Sequence, residues 1–61
     1  METIVKILMR RDGMTRTEAI EAYEETRSEI MDALNGTSIL DPEEVLIGEL
    51  GLEVDYIFYF L

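Results

Sequence analysis

The sequence predicts a single all-α domain, a small bundle of three to four helices built around one long central helix over about residues 16–35. Three observations predict it. Nearly half of the 61 residues are apolar, with a mean hydropathy of +0.04, so the chain can pack a core despite its net charge of −9. A Thr-x-x-Glu start signal at Thr15 is followed by a long stretch free of Gly and Pro, which ends before Gly36. The apolar positions recur at helical spacing, and no pair of alternating runs offers two strands to each other.

The first helix is read over Thr3 to Arg11. Ile4, Val5, Ile7, Leu8 and Met9 include i, i+3 and i+4 pairs, and Gly13 supplies a left-handed stop. Its early β-branched residues also suit a strand, but a lone strand would leave its edge unpaired. The central helix opens with a capping box in Thr15-Arg16-Thr17-Glu18. Twenty residues at 1.5 Å each make it roughly 30 Å long. Ala19, Tyr23, Ile30 and Leu34, with Ile20 beside them, form its apolar stripe, while Glu18, Glu21, Glu25, Ser28, Glu29 and Asp32 lie largely opposite.

After a turn at Gly36-Thr37-Ser38, Asp41-Pro42-Glu43-Glu44 has the pattern of a helix N-terminus, with Asp at the cap, Pro at N1 and acids in the first turn. The third helix therefore starts at Pro42 and is apolar through Val45, Leu46, Ile47 and Leu50. Gly48 and Gly51 limit it to two to three turns. A last short helix is read over Tyr56 to Leu61, capped by Asp55 or Glu53. That segment has no charged side chain and holds four of the five aromatic residues, so it needs enclosure on two sides. A strand is the alternative there, since aromatic and β-branched residues favour it.

A domain of about 60 residues buries only about 60% of the surface its unfolded chain exposes, and small domains commonly add a disulfide, a metal or a second subunit. With no cysteine and no histidine, the chain is left with the last of these, and a homodimer is expected. Its interface is placed at Tyr56, Ile57, Phe58, Tyr59, Phe60 and Leu61, with Tyr23 and Ile30. The same composition removes thiol and imidazole chemistry, and no Gly-rich phosphate loop or paired nucleophile and base is present, so no enzyme is expected. Glu21, Glu25 and Glu29 stack along one face, but hard cations take converging ligands from more than one element, so no metal and no cofactor is assigned. No small-molecule substrate is expected, because so short a chain has little material for a cleft.

Charge is segregated along the chain. All five basic residues, Lys6, Arg10, Arg11, Arg16 and Arg27, lie in residues 1–27 beside six acids, whereas residues 28–61 hold eight acids and no base. Such a field repels phosphate backbones and steers toward basic surfaces, which excludes direct nucleic-acid binding and selects a basic protein surface as partner. The partner-binding acidic face is assigned to Glu21, Glu25, Glu29, Asp32, Glu43 and Glu44. Arg10 and Arg11 complement the dipole at the end of the first helix, and as clustered cations they also suit an acidic face of a second subunit. No apolar run reaches the ~18 residues of a membrane span, and Met1-Glu2 does not open a basic leader, so a cytoplasmic location without membrane contact is expected.

Two resemblances follow from the motifs. Ile7-Leu8-Met9-Arg10-Arg11-Asp12-Gly13-Met14-Thr15, with Glu18-Ala19, resembles the first junction of ubiquitin-associated-type three-helix domains, although their second helix is short. Over nearly the whole chain, Arg11 to Ala19, Glu24-Glu25-Thr26-Arg27 and Gly51 to Phe58 resemble small acidic proteins encoded by phages and prophages of Gram-positive bacteria. Size and architecture are also similar to the Hachiman anti-defence proteins. That likeness implies a homodimer that inactivates a defence complex in the bacterial host cell by protein–protein contact, without catalysis. Where related sequences place Pro before the Asp-Tyr pair, this chain has Val54, which implies a less fixed start to the last helix. The alternative function is a structural or regulatory subunit, antitoxin-like, that docks through its aromatic tail.

Overall fold

A computed structural model describes residues 1–36, 39 and 41–61. The predicted turn at Thr37-Ser38 and the lead-in residue Leu40 lie outside the described residues. Four helices follow in order: α1 over Glu2–Asp12, α2 over Arg16–Leu34, α3 over Pro42–Leu50, and a 3-10 helix, α4, over Val54–Tyr59. No strand occurs among the described residues, so both strand alternatives fall away. α2 packs against α1 on one side and α3 on the other, and α4 closes the bundle against α3 and α1. The molecule measures 32 × 19 × 17 Å, its long dimension close to the length of α2.

The helix boundaries follow local chemistry. At the start of α2 the Glu18 amide donates to Thr15 Oγ1 at 3.2 Å, and the Thr15 amide donates to Glu18 Oε1 at 2.9 Å, forming both halves of the predicted box. Gly13 and Gly51 end α1 and α3 in the left-handed region, with φ of 67° and 64°, where a side chain would add strain. Asp41 occupies the cap position of α3 and Pro42 its first turn, but the Asp41 side chain makes no capping bond. Gly48 lies inside α3, so Gly51 alone ends the helix. The last helix begins at Val54, two residues earlier than read from sequence. Glu53 stands at its cap position without a side-chain bond, and the Tyr56 amide donates to the Glu53 carbonyl at 3.0 Å.

The core draws on three helices and the segments that flank the fourth: Ile4, Val5 and Leu8 from α1, Ala19, Tyr23 and Ile30 from α2, Val45, Leu46 and Leu50 from α3, then Leu52 before α4 and Phe60 after it. The stripe of α2 differs from the predicted one at its end. Thr26 is buried between Tyr23 and Ile30, giving the 19, 23, 26, 30 spacing of a helix packed along one seam, while Leu34 is 53% exposed. The continuation of that seam is Ala33, which is half-buried.

The tail corrects part of the expected interface. A 3-10 helix has three residues per turn, so positions three apart share a row. The row through Ile57 and Phe60 faces inward; Phe60 is 1% exposed and its ring stacks on Tyr23, centroids 4.8 Å apart and planes 21° apart. The Tyr23 hydroxyl donates to the Tyr59 carbonyl at 2.9 Å. Phe60, Tyr23 and Ile30 are therefore interior residues of one chain and not members of a surface between copies. One copy has enough interior for Phe60 and for parts of Ile57 and Tyr56, while Phe58, Tyr59 and Leu61 stay exposed.

Truncating Phe60 to Ala should cost about 3–5 kcal/mol, which matches the whole stability expected of so small a core. Its circular dichroism at 25 °C should be that of an unfolded chain. Thr15→Ala, which removes half of the box, should cost only about 1 kcal/mol and lower the melting temperature while the helical spectrum remains.

Candidate functional surface

The acidic face is built mainly by α2. Glu21, Glu25 and Glu29 recur every four residues and Asp32 follows at three, a spacing that sets all four along one exposed ridge. Glu43 and Glu44 are exposed in the first turn of α3, where the helix dipole favours negative charge, and Glu43 lines a pocket together with Leu34 at the end of α2. The residue that joins α3 to the α2 ridge is Glu49, which sequence reasoning missed. The Glu49 carboxyl shares a hydrogen bond with Glu29 and, with Glu25 and Asp32, pushes the Glu29 carboxyl above the usual range for glutamate. Nothing in the local pattern marks Glu49, because its neighbour lies 20 positions away and becomes one only when α2 and α3 pack.

Two of the five basic residues, Arg11 and Arg16, are committed within the chain. Arg11 pairs with Asp12 at 2.9 Å, and its guanidinium also donates to the Leu50 carbonyl and, at 3.3 Å, to the Gly51 carbonyl. It therefore closes the C-terminal end of α3 as well as complementing its own helix. Arg16 pairs with Glu2 across the α1–α2 corner. These guanidiniums hold the Asp12 and Glu2 carboxyls below their ordinary values, and the Thr15 amide does the same to Glu18. Glu29 alone is shifted the other way, by its acidic neighbours.

The second feature is apolar. Phe58 is 77% exposed and Leu61 60%, and Tyr59 is exposed while Tyr56 and Ile57 are half-buried. Tyr56 and Tyr59 share a row, with ring centroids 5.9 Å apart. An open pocket of about 350 Å³ lies beside the tail, lined by Leu34, Asp41, Pro42, Glu43, Ile57 and Leu61. Among the described residues no group of three or more carboxylates is placed to hold a metal ion, and no helix is long and apolar enough to cross a membrane.

No family model, no curated protein and no solved structure matches this chain.

The sign of the Glu29 shift makes a testable statement. A carboxyl raised in the folded state favours folding below its unfolded value and loses that contribution as pH rises through the folded one. Glu2, Asp12 and Glu18 act oppositely, losing their contribution as pH falls. Glu49→Gln should thus raise the melting temperature relative to the parent at pH 7, and the difference should shrink as pH falls and Glu29 takes up its proton. An equal difference at every pH would show that Glu49 does not repel Glu29.

Proposed function

We propose that the chain is a non-enzymatic protein of phage or prophage origin which, as an acidic homodimer, occupies a basic surface of a bacterial host protein and blocks a Hachiman-type defence complex. The observation that carries the binding mode is the like-charge contact where α2 meets α3. Glu29 sits among Glu25, Asp32 and Glu49 and holds its proton more tightly for it. A Lys- or Arg-bearing surface laid on this ridge gains attraction and removes repulsion already present in the free protein, so complex formation is favoured by both. The choice of a defence complex rests on the resemblance of Arg11 to Ala19 and Gly51 to Phe58 to the phage proteins, since charge selects a cationic surface but not its owner. No cofactor, small-molecule substrate, nucleic acid or membrane takes part, and the site of action is the bacterial cytoplasm.

The second reading, an antitoxin-like or structural subunit docking through its tail, is favoured by the exposure of Phe58 and Leu61 in the free chain. Removing the whole tail does not separate the two readings, because Phe60 leaves the core with it. Salt dependence does, since contact between an acidic ridge and a basic surface weakens as salt rises and an apolar tail contact does not.

Expression in a bacterium protected by a Hachiman-type system should restore phage plaques, and the Glu21→Gln, Glu25→Gln, Glu29→Gln triple variant should not. With the purified defence complex, affinity should fall about tenfold or more between about 0.05 and about 0.5 M salt, as exposed charge is screened. Intact protection in the presence of the parent protein would sink the defence reading. Salt-independent affinity together with loss of binding by Phe58→Ala would favour the docking tail.

A further inference from the structure

The pocket and the exposed ring beside it lie on the same face of the molecule. Ile57 and Leu61 line the pocket, Phe58 shares the row of Leu61, and Ile47 lies one turn along α3 from the lining residue Glu43. Phe58 has no place in its own core, because the inward row of α4 is already taken by Ile57 and Phe60. The pocket is open and, at about 350 Å³, has more than enough room for a phenyl ring, which fits a cavity of about 150 Å³.

We infer that this face pairs with a second copy of the chain about a two-fold axis, with Phe58 of each copy entering the pocket of the other. The inference rests on the homodimer in the reading above and specifies which surfaces form it. A two-fold contact uses one patch twice, so it needs projection and recess side by side, as they are here. The area is adequate for a modest dimer. Phe58, Tyr59, Leu61, Leu34 and Ile47 expose on the order of 500 Å² of side chain per copy, which brings the total to the ~1,000 Å² that a specific interface should clear. Charge leads to the same face. Two copies of a −9 chain repel, and residues 56–61 form a run without a charged side chain, whereas pairing along the α2 ridge would set four acids against four. Asp41 and Glu43 at the pocket still approach their counterparts across the axis, so screening should strengthen this contact. Salt therefore acts on the dimer with the opposite sign to its effect on a basic partner.

The chain has no cysteine, so single thiols report proximity cleanly. Full-length Phe58→Cys and Leu34→Cys proteins of different tag size, mixed and treated with a short bismaleimide, should give a covalent heterodimer. Phe58→Cys with Ser28→Cys, an exposed position on α2, should give little. Sedimentation should show a dimer that tightens several-fold between about 0.05 and about 0.5 M salt. Phe58→Ala should weaken it by about tenfold or more with an unchanged helical spectrum. A dimer whose cross-links are no richer at 58–34 than at 58–28 would overturn this pairing while leaving the homodimer in place. A monomer at every salt and concentration would overturn both.

Discussion

The structure depends on the contact between Tyr23 and the tail. Tyr23 lies midway along α2, and its ring takes Phe60 on one face while its hydroxyl satisfies the Tyr59 carbonyl. This attaches α4 to the central helix through both apolar area and a directed hydrogen bond. Burial of a phenylalanine side chain contributes about 1.5–3 kcal/mol, a large fraction of what a core of this size supplies. The position of α4 also decides what remains outside. With the Ile57 and Phe60 row held inward, three residues per turn force Phe58 and Leu61 toward solvent. The exposed apolar face is thus a geometric result of the same contact that closes the core.

Much of this was legible in the sequence. Helix starts at Thr15 and Pro42 and helix stops at Gly13 and Gly51 are local chemistry, read from a few adjacent residues, and the structure has them where the residues place them. What escaped were partners distant in the chain. Arg11 reaches the end of α3 some 40 positions away, and Glu49 meets Glu29 only after packing. Thr26 illustrates a third kind of loss, since a hydroxyl-bearing residue was left out of the apolar stripe although its spacing between Tyr23 and Ile30 marks the seam. The tail was misjudged because its apolarity was treated as a property of the whole segment, whereas a 3-10 helix divides it into rows with different fates.

Exposed charge and exposed apolar area occupy different elements of the surface. The α2 ridge, extended by Glu49, has the character of a surface that meets cations, and the tail face has that of a surface that meets another apolar face. On the reading proposed above, salt would weaken contact of the ridge with a basic partner and strengthen contact between two tail faces. The first part of the chain has little share in either, because Arg11 and Arg16 are engaged with Asp12, Glu2 and the carbonyls of α3.

The clasp made by Arg11 bears on how the molecule forms during translation. The guanidinium fastens a helix synthesised first to carbonyls at Leu50 and Gly51, and α1 also leans on α4. An emerging α1 has α2 as its main neighbour but lacks α4 and the carbonyl acceptors of Arg11, and a helix of eleven residues short of part of its packing is marginal in water. Such a nascent chain stays pliable, and therefore vulnerable to proteases, until its later elements have left the ribosome.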